Sequence, residues 1–198
     1  MYTFISYSLI NIIFGSLTKS KQMDDFLRRI QLIKDISIQL PVSKIDFTKK
    51  FKDNVDESDL GYEPFEMLKS SNNEYKGNIL NNNFELKKRR KFFDTNYSFA
   101  KVKGELKEEN NTLDVKLEIN AFGKRMIAFF AFAFIFYLIF FTGAIFSASE
   151  TNVPFFILPF LLVHMCFMLG IPYFVMRRSV KRMIYDLERD LHYWVTKN

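Results

Sequence analysis

Two long apolar stretches, Met126–Phe146 and Val153–Met176, are separated only by Ser147-Ala-Ser-Glu-Thr-Asn152, and neither contains a Lys, Arg, Asp or Glu. At about 1.5 Å rise per residue, each is long enough as a helix to cross a hydrocarbon core of about 30 Å. So short a connection holds no domain, and the pair predicts a transmembrane helical hairpin. Lys124-Arg125 stand before it and Arg177-Arg178 with Lys181-Arg182 after it, whereas the connection carries Glu150 and no base. The positive-inside rule then puts Gly123 and Ser179 in the cytoplasm and Glu150 outside. The expected address is the bacterial inner (cytoplasmic) membrane, multi-pass, with the soluble regions at both ends cytoplasmic.

Charge divides along the same line. The first 122 residues carry 20 Lys and Arg against 18 Asp and Glu, and the remainder carries 8 against 4. The basic excess therefore collects at the membrane edge, a lipid-surface signal that speaks against nucleic acid as a partner. Cys166 is the only cysteine and falls inside the second apolar stretch. Intrachain disulfides and thiolate metal sites are excluded. The wealth of Asn, Lys, Ile and Phe suits an AT-rich bacterial genome.

Residues 1–22 form an apolar N-terminal segment. Tyr2–Leu17 lacks a basic start and a small-residue cleavage site, which argues against a signal peptide. An interfacial helix, a short third span and an extension upstream of Met23 all fit.

Residues 23–122 predict a cytoplasmic α+β domain. Phe26, Leu27, Ile30 and Ile33 recur at helical spacing over about 24–34. Ile36, Ile38, Leu40 and Val42 alternate with polar residues, a strand that Pro41 confines to an edge or an end. Ser43 and Asp46 resemble a capping box ahead of Phe47, Phe51 and Val55, a second helix over about 44–56. Strands are expected at Phe65–Lys69 with Tyr75–Leu80, and at Phe84–Phe93, Tyr97–Leu106 and Thr112–Asn120. Asn72-Asn73, Asn81-Asn-Asn83 and Asn110-Asn111 supply the turns, because Asn tolerates positive φ. The result is an antiparallel β-meander with two N-terminal helices, wet on one face and covered on the other. The hairpin over 123–176 follows, then a C-terminal amphipathic helix within 177–198.

Tyr75-Lys-Gly77-Asn-Ile79, Asn83-Phe84-Glu-Leu86 and Gly104-Glu-Leu106, then a Thr-Leu-Asp-Val strand running into a membrane hairpin, carry a likeness. The chain resembles a group of small, uncharacterised bacterial two-span membrane proteins with an aromatic-x-Gly-x-Ile…Asn-x-Phe-x-Ile pattern. The resemblance implies architecture only, and brings no activity, cofactor or site residue. Lys87-Lys-Arg-Arg-Lys91 departs from it, since a single base is expected there.

Three features bear on function. His164 and Tyr137 sit near the middles of their stretches, at similar depth in an antiparallel hairpin. They read as an intramembrane polar pair, either neutral helix glue or part of a gate. Lys88 and Arg90 would share a face with Phe84 and Leu86 if the strand continues, lining an anion site for a nucleotide or lipid headgroup; the alternative is a solvated turn. Val180, Ile184, Leu187, Leu191 and Trp194 step by 4, 3, 4 and 3 residues, a seam that docks on the β-domain, lies on the membrane, or pairs in an oligomer. With small residues at Ala144 and Ala148, Ile184, Leu187, Leu191 and Trp194 are assigned as an oligomer seam of a homo-oligomer.

No Gly-rich phosphate loop, paired metal-spaced His or activated nucleophile is present in the sequence. No catalytic residue, metal ligand or cofactor is assigned, and no enzyme is expected. Two functional classes fit. One is a membrane-anchored cytoplasmic interaction or sensing module, with the lipid bilayer, further copies of itself, and a protein or anionic small-molecule signal as partners. The other is a membrane-permeabilising effector of a bacterial antiphage defence system, triggered through its cytoplasmic domain.

Overall fold

The computed structural model describes residues 21–61, 68, 71–91, 98–110, 112–150 and 157–197, without the side chains at 124 and 147–150. The apolar segment before residue 21, the Phe65–Lys69 strand apart from Leu68, and the Ala148 side chain lie outside the described residues.

Residues 21–29 form a helix (α1) that ends earlier than its periodicity suggests. Gln31 takes a left-handed φ of 64°. The Gln31 N–H bonds to the Arg28 carbonyl and the Leu32 N–H to the Leu27 carbonyl, the two bonds of a Schellman stop. Ile33 therefore opens a strand, β1 (Ile33–Leu40), rather than a fourth helical turn. That strand stops one residue before Pro41 and lies at a sheet edge.

Helix α2 (Lys44–Asn54) begins where Ser43 accepts the Asp46 N–H at 3.1 Å and donates to the Asp46 carboxylate at 2.7 Å. Phe47 and Phe51 face inward one turn apart. Val55 leaves the helix at once into β2 (Val55–Glu57). The remaining strands are β3 (Tyr75–Leu80), β4 (Asn83–Lys88), β5 (Lys101–Glu109) and β6 (Thr112–Asn120). Their order in the sheet is β1-β6-β5-β4-β3-β2.

β3 to β6 form the expected antiparallel meander, but the sheet is mixed, because β2 runs parallel to β3. The pure meander is corrected here: spacing makes Val55 the last apolar step of α2, whereas its extended backbone makes it the first residue of an edge strand. Asn81 and Asn110 turn the chain at φ 56° and 49°.

One face of the sheet is wet and one is covered. Core-side partners run in register from Leu86 through Val102 to Ile119, and from Phe84 through Gly104 to Leu117 and Ile36. Phe84 lies across Gly104, where a β-carbon would meet the Phe84 ring at 2.1 Å. On the opposite face, Lys103 and Glu118, and Glu105 and Lys116, stand side by side.

The covering layer holds a surprise. Helix α3 (Lys124–Glu150) starts three residues after β6, and α4 runs unbroken from Ile157 to Thr196, with Pro172 inside it. From Ile157 onward, the second apolar stretch and the C-terminal amphipathic helix are thus one rod of about 60 Å. Its far half, not an N-terminal helix alone, joins α2 in covering the sheet. Arg125–Phe146 of α3 and the near part of α4 are long and apolar enough to cross a membrane. Phe132, Phe134 and Phe146 on α3 and Phe160, Phe167 and Phe174 on α4 stand exposed.

Candidate functional site

The site is the junction where α4 passes from its exposed apolar half to its buried half. Val180, Met183, Leu187 and Leu191 are almost without solvent contact, and Trp194 meets Phe51 at 6.4 Å and Tyr75 at 5.7 Å between ring centroids. Burying each such aliphatic side chain contributes roughly 1.5–3 kcal/mol. The oligomer seam of Ile184, Leu187, Leu191 and Trp194 is corrected by this packing. Its spacing is that of a docking stripe, consumed within its own chain by the sheet and α2.

Polar contacts fix the rotation of α4 on the sheet. The Ser179 hydroxyl accepts the Phe99 N–H at 2.6 Å and the Ala100 N–H at 3.2 Å, and meets the Ser98 hydroxyl at 2.8 Å. These bonds tie the backbone just ahead of β5 to α4, and the Ser98 hydroxyl shares the Ala100 N–H at 3.2 Å. On the N-terminal side of Ser179, Tyr173 and Arg177 reach Ile30 and Gln31 at the end of α1. At the far end, Lys50 of α2 donates to the Val195 and Lys197 carbonyls at 3.1 and 2.7 Å. A cation there suits the negative end of a helix dipole.

Lys88 is on the core face, opposite Tyr75 in register. It borders an open recess, but its charge is spent on carboxylates. Its ammonium meets the Asp186 carboxylate at 2.8 Å and Glu74 at 3.7 Å. Arg90 falls past the end of β4, because Lys88 already pairs with the first residue of β3 and Lys87 with the first of β5. Its guanidinium lies 6.0 Å from the Phe99 ring centroid. The two bases expected to act together are thus separated by the strand's end, and the shared site of Lys88 and Arg90 is corrected.

Tyr75 donates its hydroxyl to Asp190 at 2.7 Å. Burial first, and then that carboxylate, push the phenol well above its ordinary range. Asp56 on the edge strand β2 shows the reverse balance. Burial alone would raise its carboxyl, but hydrogen bonds from Ser71, Asn73 and Arg89 outweigh it and hold the group low.

Beside Lys88 and Asp186 opens a recess of about 580 Å³. Arg178, Lys181, Arg182 and Arg189 border it from α4 and Glu74 from the sheet, with Tyr185 as an aromatic wall. Five bases against two acids make it electropositive. Arg189 is tied to Asp190 at 2.7 Å. Arg178, exposed on α4, and Lys181 make no ion pair with the described residues.

Farther along α3 and α4, the Tyr137 hydroxyl lies 2.7 Å from His164 Nδ1. Tyr137 is buried between the helices, and Phe160 stacks on the imidazole at 6.3 Å. The contact pairs the Tyr137 hydroxyl with one ring nitrogen of His164. Among the described residues no cluster of His, Cys, Asp and Glu has the makings of a metal site.

Sequence reasoning missed Asp186, Asp190, Ser98 and Ser179 as partners of the sheet. A signal was present for the first: a lysine on an otherwise apolar strand face requires an acid opposite. No family model, curated protein or solved structure matches the chain.

Proposed function

We propose that the chain is a membrane-anchored interaction or sensing module whose cytoplasmic sheet is rigidly coupled to its anchor. The observation that carries this reading is the continuity of α4 from an exposed apolar half into the core of the sheet domain. Only three residues join β6 to α3 as well. A movement of the sheet, on binding a protein or an anionic signal, has no flexible linker in which to dissipate. The basic residues at both helix ends favour a cytoplasmic sheet in a bacterial inner membrane. Self-association, in this reading, uses the exposed faces of α3 and α4 rather than the buried seam.

The permeabilising alternative finds less support. A water-filled pore needs a polar stripe, and Tyr137 and His164 spend their polarity on each other. Two measurements test the reading. In a Cys166→Ala background, Ser149→Cys should label from outside intact cells and the exposed His192→Cys should not; the reverse pattern would overturn the orientation. Purified protein reconstituted in vesicles should leave an entrapped dye sealed, whereas dye release would favour the effector.

A further inference from the structure

The recess at the α4 junction sits at a telling depth. The apolar stretch ends at Met176, so Arg178, Lys181 and Arg182 lie about 3–9 Å farther along the helix axis. With a hydrocarbon core of about 30 Å inside a bilayer of about 40–45 Å, each headgroup layer is roughly 5–8 Å deep. Arg178 and Lys181 fall within that layer, and Arg182 stands at its outer edge. Spaced by three and one along the helix, they share one side of it and open onto the recess together. Glu74 and Asp186 belong to the same recess, and both approach Lys88, which offsets much of their charge. Arg189, held by Asp190, is some 20 Å beyond Met176, too far to meet a headgroup phosphate lying beside the other three.

We propose that this recess binds a phosphate group, presented by an anionic lipid headgroup and held by Arg178, Lys181 and Arg182. The inference rests on the bilayer reading above. Arg forks and a Lys point charge suit phosphate oxygens, and the Lys88–Asp186 pair forms a floor that needs no counter-ion. Depth selects lipid over a free phosphate, because a diester at the headgroup level meets the bases without leaving the bilayer.

The test uses the full chain in detergent, with phosphatidylglycerol, phosphatidylcholine or inorganic phosphate added and retained lipid read by native mass spectrometry. Wild type should retain phosphatidylglycerol in preference to phosphatidylcholine. Arg178→Gln/Lys181→Gln should bind it roughly tenfold or more weakly. Lys103→Gln/Lys107→Gln, which removes the same charge from the exposed face of β5, should bind like wild type. Equal loss in both double variants would mean diffuse attraction and would overturn the site, as would no lipid preference in wild type. Displacement of the lipid by millimolar inorganic phosphate, with the same dependence on Arg178 and Lys181, would keep the phosphate site and assign it a soluble source. Carbonate washing of cell membranes separates the two levels. Release of the protein would overturn the bilayer reading and the lipid source with it, whereas retention without lipid preference would overturn the recess alone.

Discussion

Lys88 in β4 and Asp186 in α4, 98 residues apart in the chain, meet at 2.8 Å with side chains only 11% and 10% exposed. The pair joins the sheet to the rod at the point where the electropositive recess begins. Removing one partner leaves the other charge buried, a change that typically costs 3–5 kcal/mol, whereas replacing both with apolar residues costs much less. Asp186→Ala should therefore lower unfolding stability by roughly 3 kcal/mol, near the lower end because Glu74 stays within 3.7 Å of Lys88. Lys88→Met/Asp186→Leu should recover most of that loss. Denaturant titration of the two variants in detergent checks the sign.

The Tyr75 phenol, raised by burial and by Asp190, favours the protonated form in the fold. A raised pKa contributes stability that is fully present below the unfolded value of about 10 and is lost as pH rises beyond it. Stability measured from pH 7 to 11 should fall above about pH 10. Tyr75→Phe should start lower by roughly 1.5–3 kcal/mol, the worth of a hydrogen bond to a charged acceptor, and should show a shallower alkaline decline.

Gly104 is the floor on which Phe84 lies. Gly104→Ala should cost about 1–3 kcal/mol through overpacking, and Phe84→Leu in the same chain should return part of it. Thermal unfolding of the single and double variants measures the coupling. If the two effects add, the ring does not sit on the glycine.

Leu187 has no solvent contact. Leu187→Asp places a carboxylate in the core between α4 and the sheet, so it should disrupt the sheet domain by about 4 kcal/mol or more. Loss of protease resistance in that domain is the readout. A folded protein that merely changes its oligomer size would restore the seam as an intermolecular surface.

Periodicity carried the strand faces well. Thr112–Asn120 and Tyr75–Leu80 form over the expected residues, and Asn81 and Asn110 turn the chain at positive φ, whereas Asn72-Asn73 does not. What stayed hidden was long-range. The stripe Val180–Trp194 reads alike whether its partner is a second copy or the chain's own sheet, because spacing specifies a face and not its occupant. Helix α1 outran its true end in prediction since Ile33 suits both a helical step and a strand, and only the left-handed Gln31 decides. The reach of β4 was likewise overestimated: nothing local in Lys87–Lys91 says that both neighbouring strands begin at its last residues. For Lys88 and Arg90 that boundary separates a buried ion pair from a base beside Phe99.

The unbroken α4 also has the geometry of a lever. From Met176 to Thr196 it extends about 30 Å into the sheet domain. With its apolar half in a bilayer, a thinner membrane is met by greater tilt. A tilt of about 10° would swing the Trp194 end sideways by roughly 5 Å, carrying the sheet across the headgroups. Membrane thickness would thereby become a coordinate of the soluble domain, read out without any ligand.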